Sequence, residues 1–354
     1  MDFTFTEDQL MFREAISRFL MTEAAPETLR EIWETDAGRS PELRNKMAEQ
    51  GLTALSVPEQ FGGLGMGDIA WSLMTQELGY YAIPDSLADT AYVGSGVFSA
   101  LDDSVVCKAD YLAKICDGEL RLAIGHQCSE LVSDAHLAQV LLMQHADEVH
   151  LVPCEQVDNV VNLSIDSSRR LSQVTWQPTA ETCIAQGEAG KKIWNDTLNR
   201  GALSVAGQLL GLAQRMLDLT VDYSVQRKQF GKAIGSFQAV KHHLADVAGK
   251  IEIAKPVLYR AACSLENNHP LTDVHVSQAR NFCSEAAALA ARHGIQIHGA
   301  MGYTWEVDLQ MFMKRSWALN NTWGDSVFHR ARVQDYVLNS DVDLAPSKIF
   351  EAIL

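Results

Sequence analysis

The chain has 354 residues, 47% hydrophobic and 21% charged, which is the composition of a folded globular protein and excludes a disordered one. Its 45 acidic and 29 basic residues give a formal net charge of −16, which disfavours nucleic-acid and anionic-membrane partners. The N-terminus lacks the pattern of a secretory signal, and no stretch approaches about 18 uninterrupted apolar residues. We therefore expect a cytoplasmic protein.

The seven cysteines form no Cys-x-x-Cys pair and are odd in number. This pattern argues against a zinc site or a disulfide framework built from cysteines. We expect reduced, mostly buried thiols without a catalytic role.

The first third of the sequence predicts helices separated by one glycine-rich loop. Thr6 and Gln9 have the spacing of a capping box, and the apolar residues that follow recur every three or four positions. Ser40 followed by Pro41 predicts the start of another helix. Segment 57–68 carries four glycines, which disfavour regular structure, and a further helix is expected after it.

From about residue 118 the pattern changes to short alternating runs, which are typical of strands separated by turns. The expected strands cover residues 121–124, 138–144, 148–153, 160–165 and 172–176. The sequence therefore predicts a small β unit in the middle of the chain.

The last part of the sequence is strongly helical. Apolar residues step by three and four from Leu198 to Tyr223 and from Phe237 to Ile251, and further helices are expected over 272–298 and 306–340. Four long helices make a bundle, so the predicted fold class is α+β, mainly α. The predicted domains are an N-terminal helical domain (1–117), a reduced middle β domain (118–190) and a C-terminal four-helix bundle (191–354).

Three segments, in this order and at this spacing, resemble the acyl-CoA dehydrogenase family over essentially the whole chain. They are VPEQFGGLGM at 57–66, RKQFGKAIGSFQAVKHHLAD at 227–246 and QIHGAMGYTWE at 296–306. The resemblance implies the fold of that family, FAD as cofactor, and tetramers built from dimers. It also implies oxidation of the Cα–Cβ bond of an acyl-CoA thioester.

Within the family, the Arg-x-Gln-Phe motif reaches across the dimer interface to the diphosphate and adenosine of the neighbour's FAD. The resemblance assigns this role to Arg227 as a planar fork of donors, Gln229 as an amide and Phe230 as a flat apolar face. It places further residues on the same surface: Gln238, Gln296, His298 and Gly299. We therefore expect an FAD shared across a subunit interface. The alternative reading makes Arg227 and Lys228 a solvated charge pair at a helix end.

The same chemistry requires a carboxylate that removes the α-proton of the thioester, and the sequence lacks it at both positions that the family uses. The usual position, nine residues after Arg315, is Gly324. Asp325 is a weak catalytic candidate, because it is one methylene shorter than Glu and points about 100° away, and it also suits a helix N-cap. The other position, Asn199, precedes Arg200, a weak candidate for the substrate region. An amide cannot accept the proton.

The β unit also departs from the family pattern. The Thr-Glu-Pro loop expected after the first strand is replaced by IGHQCSELVSDAHLA at 124–138, and the Trp-x-Thr-Asn-Gly segment has no counterpart. We expect His126 and Ser129 in this loop to be turn or surface residues. The groups that act on the chain's own flavin have gone, whereas those that serve a neighbour's flavin remain.

This asymmetry favours the supporting subunit of a heteromeric acyl-CoA dehydrogenase, resembling the α2β2 enzymes of bacterial steroid catabolism. The expected partners are a catalytic acyl-CoA dehydrogenase subunit, a bulky acyl-CoA substrate, and an electron-transfer flavoprotein or similar acceptor. One alternative is a self-sufficient homomeric flavoenzyme with Asp325 or another carboxylate as base. The other is a non-enzymatic scaffold or interaction protein.

Overall fold

The computed structural model describes residues 4–340. Two predictions extend beyond this range. Residues 341–354 of the predicted bundle domain lie outside the described residues, as do residues 1–3 of the segment that was checked for a secretory signal. The helices are α1 (Glu7–Glu23), α2 (Pro26–Glu34), α3 (Pro41–Glu49), α4 (Asp68–Tyr80), α5 (Ser95–Ala100), α6 (Cys107–Cys116), α7 (Gly187–Gln226), α8 (Gln238–Glu266), α9 (Thr272–His298), α10 (Leu309–Leu319) and α11 (Ser326–Asn339). The strands are β1 (Leu122–Gly125), β2 (Val132–Ser133), β3 (Val140–His145), β4 (Glu148–Pro153), β5 (Asp158–Asn162), β6 (Leu171–Thr175), β7 (Cys183–Ala185), β8 (Lys228–Gln229) and β9 (Lys232–Ala233).

The helix starts expected in the N-terminal part are confirmed. The Thr6 side chain accepts from the backbone of Gln9, and the Gln9 side chain accepts from the backbone of Thr6, so α1 begins with a complete capping box. The Ser40 side chain accepts from the backbone N–H of Leu43 at the start of α3. Satisfying these free N–H groups sets where each helix begins.

The middle unit consists of two small sheets. One has the strand order β1-β3-β4-β7, in which β1 and β3 are parallel, and the other has the order β2-β6-β5. The five expected strands are present, whereas β2 and β7, with two and three residues, carried too short a pattern to be predicted. A small apolar cluster that includes Ala123, Leu141, Met143 and Val152 lies within this unit.

The C-terminal part is organised around α7, which is 40 residues long and buries an apolar face from Ile193 to Met216. Helices α8 and α9 pack along it, and the fourth position of the bundle is shared by α10 and α11. The prediction of a single helix over 306–340 is therefore wrong in one respect. The helix is interrupted after Leu319, because Trp323 and Gly324 both adopt positive φ, which a helix cannot contain.

The domain boundaries remain predictions. In the structure α6 ends at Cys116 before β1 begins at Leu122, and β7 ends at Ala185 just before α7 begins at Gly187. Among residues 4–340, no helix is long and apolar enough to cross a membrane.

Buried ion pairs join the β unit to both helical parts. Arg39, before α3, makes a two-pronged contact with Asp134 at 2.5 and 2.9 Å, and both side chains are buried. Arg315 of α10 lies 2.5 Å from Asp166, also buried. Charges taken out of water are stable only when paired and hydrogen-bonded, so these pairs set how the β unit sits between its neighbours.

We expect Asp134→Ala to lower the free energy of unfolding by about 3–5 kcal/mol, because it leaves the buried Arg39 guanidinium with backbone carbonyls but without its carboxylate partner. Burial alone would raise the pKa of Asp134, but Arg39 overrides this effect and holds that pKa at about 2. A folded-state pKa below the unfolded one adds stability above the unfolded value, so the contribution is lost as the pH falls from about 4 towards 2. Urea unfolding across this pH range measures both effects.

The control is Asp110→Ala, which removes an exposed i,i+4 partner of Lys114. It should change the free energy of unfolding by no more than about 0.5 kcal/mol. Equal effects of the two substitutions at neutral pH would contradict a special role for the buried pair.

Candidate cofactor-binding surface and closed active-site region

The predicted Arg-x-Gln-Phe motif forms an exposed hairpin at the end of α7. Strands β8 and β9 pair, and the turn between them places Phe230 at φ 52° and Gly231 at φ 81°. This conformation holds the Phe230 ring in solvent, where it is 91% exposed. The Phe230 and Phe237 rings are nearly perpendicular, with centroids 6.1 Å apart. A bulky residue at positive φ is uncommon, and its exposed ring offers a flat apolar face to a binding partner.

Arg227 begins this hairpin with its side chain exposed. Its backbone N–H donates to Tyr223 O at 2.8 Å, and its carbonyl accepts from Ile234 at 2.9 Å, so the backbone is fixed while the guanidinium extends into solvent. Residues 223–245 contain Arg227, Lys228, Lys232 and Lys241 and no acidic residue, in a chain of net charge −16. This local surplus of positive charge suits a phosphate ligand.

The end of α9 lies beside this hairpin. The His298 ring is buried and stacks on Tyr223 at 4.1 Å, and its Nδ1 lies 2.8 Å from Gly294 O. Burial lowers the pKa of His298, so the imidazole is neutral at pH 7. His298 thus joins the end of α9 to the last turn of α7 and is not itself exposed. The other members of the predicted surface are exposed: Gln238, Gln296 and Gly299.

Gly299 ends α9 with φ 59° and ψ −134°, a conformation that favours glycine. A Cβ at this position would meet nothing within 4 Å, so the requirement is conformational and the adjoining space is open. An open approach to bare backbone is suited to a cofactor that contacts main-chain atoms.

Unlike the exposed hairpin, the two positions at which family members carry the base are enclosed by neighbouring residues of the chain. Gly324 has φ 86°, and a Cβ there would lie 2.5 Å from Phe328 Cδ1 and 2.9 Å from His329 Nε2. No side chain fits without rearrangement. Asp325 caps α11, accepting from the Phe328 N–H at 2.8 Å. Its carboxylate is therefore engaged at the helix terminus, as its N-cap sequence predicts.

Asn199 is also committed to contacts within the chain. Its amide nitrogen donates to Asp273 at 2.7 Å, and its oxygen accepts from the Arg332 guanidinium at 3.2 Å. The neighbouring Arg200 lies 3.2 Å from Asp68, a carboxylate that also accepts from the Tyr92 hydroxyl at 2.5 Å. Asp68 raises the pKa of Arg200 against the opposite effect of burial.

Aromatic side chains fill the region between these positions. The Trp323 indole lies directly on Gly201 of α7, where any Cβ would overlap it. His126 packs between Trp323 and Trp194, with ring centroids 5.7 and 5.6 Å away. His126 was expected at a turn or on the surface: it does begin a turn, in which its carbonyl accepts from the Ser129 N–H at 2.9 Å, but its ring is half-buried between the two indoles. Burial lowers the pKa of His126 to about 4, so the ring stays neutral at pH 7.

Ser129, expected at a turn or on the surface, is half-buried, and its hydroxyl donates to Leu131 O at 2.9 Å.

The expectation that the cysteine thiols are mostly buried also needs correction. All seven thiols are free, but only Cys283 is fully buried and the other six are half-buried. Cys128 lies 3.0 Å from His126 Nδ1, and burial raises its pKa to about 12, which keeps it a thiol.

Two small cavities remain in this region, with volumes of about 40 and 10 Å³. The smaller has room for about one water molecule, whereas small-molecule sites usually measure about 300–1,000 Å³. An isoalloxazine ring and a thioester do not fit. Asp89 lines both cavities and accepts from the Trp323 indole N–H at 3.3 Å, and burial raises its pKa to about 6. No sequence motif marked Asp89 or Trp323.

Buried Arg280 stabilises the turn that carries Trp323. Its guanidinium donates to the carbonyls of Leu319, Asn320 and Gly324, and the acceptors in range are carbonyls, an amide and a hydroxyl, with no carboxylate. The turn is thus held in one position from inside the bundle.

A helical domain, a small β unit and a helical bundle make the architecture of the acyl-CoA dehydrogenases. Residues 6–119 match the N-terminal domain model of that family and residues 188–338 match its C-terminal domain model. The chain belongs to the acyl-CoA dehydrogenase family.

The chain is similar to proteins called acyl-CoA dehydrogenase IpdE2. It is 30% identical to the one from Mycolicibacterium smegmatis, over 88% of this chain and 93% of that protein, and 31% identical to the one from Mycobacterium tuberculosis, over 88% and 91%. Among solved structures, the ChsE4-ChsE5 complex from Mycobacterium tuberculosis matches with a TM-score of 0.84 and 19% identity, over 97% of this chain and 100% of that one. The Tcur3481-Tcur3483 steroid acyl-CoA dehydrogenase G363A variant matches with a TM-score of 0.83 and 22% identity, over 94% and 98%.

We expect Gly324→Ala to lower the free energy of unfolding by about 1–3 kcal/mol, because it combines a clash with Phe328 and an unfavourable φ. Urea unfolding measures the change. The control is Gly249→Ala, an exposed position within α8 where a Cβ meets nothing within 4 Å. That substitution should stabilise the chain by about 0.5–1 kcal/mol. Tolerance of alanine at Gly324 would show that the turn has room for a side chain.

Proposed function

We propose that this chain is the supporting subunit of a heteromeric acyl-CoA dehydrogenase and completes the FAD site of a catalytic partner subunit. The observation that carries the proposal is the contrast between two parts of the molecule. Neither Gly324 nor Asn199 supplies a carboxylate, and the two cavities beside them are too small for a flavin. The hairpin at Arg227 presents cationic, amide and aromatic groups to solvent.

The exposed residues fit an FAD that is held mainly by the partner. Arg227 would donate a fork of hydrogen bonds to diphosphate oxygens, and Phe230 would lie against a flat part of the cofactor. Gln229, Gln238 and Gln296 would supply amide groups to polar edges of the cofactor. Gly299 would admit backbone contact, while His298 positions the end of α9 through Tyr223.

When bound, FAD supplies the oxidant that accepts hydride from the substrate. The chain's own residues take no proton in this scheme, so the base belongs to the catalytic partner. Arg200, neutralised by Asp68, would act through packing near the substrate region and not as a free charge. The substrate would be a bulky acyl-CoA of the steroid-derived type. Reduced flavin would be reoxidised by an electron-transfer flavoprotein or a similar acceptor.

Two relationships support the heteromeric and steroid aspects. The ChsE4-ChsE5 complex and the Tcur3481-Tcur3483 steroid acyl-CoA dehydrogenase share this fold over nearly the whole chain. In an α2β2 assembly of the proposed kind, each flavin site would need one chain of each type.

Purification of the chain alone and with a candidate catalytic partner tests the proposal. The chain alone should be free of flavin absorbance and inactive towards acyl-CoA. The complex should contain one flavin for each copy of this chain, or two in a tetramer. A yellow, active preparation of the chain alone would instead favour the self-sufficient enzyme, with Asp89 or Asp325 as its base. Absence of flavin from every complex would favour the scaffold.

In the assembled complex, Arg227→Ala should raise the dissociation constant for FAD about 10- to 100-fold, the effect of losing a charge-assisted contact. Fluorescence titration of the flavin-depleted complex measures the change. Lys228→Ala removes the same charge from the next residue, whose side chain projects from the opposite face of β8. It should alter the constant by less than about threefold, because Lys228 would add only long-range, salt-screened attraction and no hydrogen bond to the diphosphate. An unchanged affinity in Arg227→Ala would count against the proposed contact.

Asp325→Asn should leave the turnover of the complex within about threefold of wild type, because Asn caps a helix as well as Asp does and the base lies in the partner. Steady-state assays with an electron acceptor measure kcat. A loss of about 100-fold or more, with circular dichroism unchanged, would identify Asp325 as a general base in this chain.

A further inference from the structure

Three groups that bind transition metals meet at the tip of the β3–β4 hairpin, outside the sites described above. His145 ends β3 and Glu148 begins β4, and the two are paired across the turn. His150 lies two residues further along β4, so its side chain shares the face of Glu148. The Glu148 Oε2 atom lies 3.1 Å from His145 Nδ1 and 3.1 Å from His150 Nε2. The three ligand atoms lie within 4.8 Å of one another.

The orientation of His150 is fixed from the buried side of the hairpin. His150 is 1% exposed, and its Nδ1 lies 2.9 Å from Thr182 Oγ1. The Thr182 hydroxyl lies 3.0 Å from Thr179 O and donates to it, which leaves the Thr182 oxygen able to accept from His150 Nδ1–H. In that tautomer the Nε2 lone pair faces the Glu148 carboxylate, so two metal-binding atoms point into the same space.

We propose that His145, Glu148 and His150 bind a divalent transition-metal ion of the Zn²⁺ type, through Nδ1, a carboxylate oxygen and Nε2. Two imidazoles and a carboxylate form a common Zn²⁺ ligand set. Tetrahedral bonds of about 2.0–2.1 Å place ligand atoms about 3.3 Å apart, close to the two contacts of 3.1 Å. The Thr182 hydroxyl provides the outer hydrogen bond that fixes the ring and tautomer of a metal-bound histidine.

The surroundings leave the proposed metal site open to water and connect it to α7. His145 and Glu148 have side chains 56% and 37% exposed, so they can adjust and leave the fourth position to water. The Glu148 carbonyl accepts from the Trp194 indole N–H at 2.8 Å, which places the hairpin tip on the first turns of α7. A bound ion would therefore fix the β unit against the bundle.

Titration of the full-length chain, freed of metal with a chelator, tests the proposal with Zn²⁺ and with Co²⁺. We expect one saturable equivalent, a rise in Tm on Zn²⁺ addition, and the visible absorption of tetrahedral Co²⁺. Glu148→Gln keeps the size of the side chain and should weaken binding at least about tenfold, as should His145→Ala. Both side chains are exposed enough for the variants to fold, which circular dichroism checks.

A second group, His243, Asp246 and His293, provides the matched control, since its ligand atoms also lie within 4.8 Å. His243→Ala should leave the affinity of the saturable site unchanged. Three results would overturn the proposal: no saturable binding by the wild-type chain, undiminished binding by both Glu148→Gln and His145→Ala, or loss of binding in His243→Ala.

Discussion

The contact of the Trp323 indole with Gly201 closes the space between α7 and the turn at Gly324. Gly201 leaves a bare strip of α7, and the indole covers it from a turn in which Trp323 and Gly324 both have positive φ. Arg280 holds that turn through its carbonyls from within the bundle. The same local conformation therefore removes room for a carboxylate side chain at Gly324 and fills the space beside it. In the division of labour that we propose, the absence of a base and the closed pocket would share this one structural cause.

The opposite end of α7 shows the reverse behaviour. There the backbone is fixed by hydrogen bonds from Arg227 and by the stacking of His298 on Tyr223, yet the side chains extend into solvent. The Phe230 ring, held out at positive φ, offers a flat apolar face to a binding partner. One long helix thus carries a filled region near Gly201 and exposed cationic and aromatic side chains at its C-terminal end. In the heteromeric assembly that we propose, these two features are complementary.

Sequence periodicity predicted the layers of the fold because helices and strands bury apolar residues that recur at a regular spacing, as α7 and α9 do. It failed where structure depends on distant residues: the break at Trp323 arises from packing on Gly201, more than a hundred positions earlier. The turn at His126 was expected, but the enclosure of its ring was not, since the Trp194 and Trp323 rings that cover it come from α7 and from the turn before α11. The glycine and the amide at the two counted positions, Gly324 and Asn199, could be read directly from the sequence. The packing of Trp323 beside them could not, because no local pattern encodes it, and Asp89 carries no motif at all.

The most direct test of the division of labour is a high-resolution cryo-EM or crystal structure of the assembled complex with FAD. The account predicts an isoalloxazine ring within the catalytic partner and the guanidinium of Arg227 on its diphosphate, with Trp323 still seated on Gly201. A complete isoalloxazine lodged within this chain, between the loop at His126 and a displaced Trp323, would contradict it.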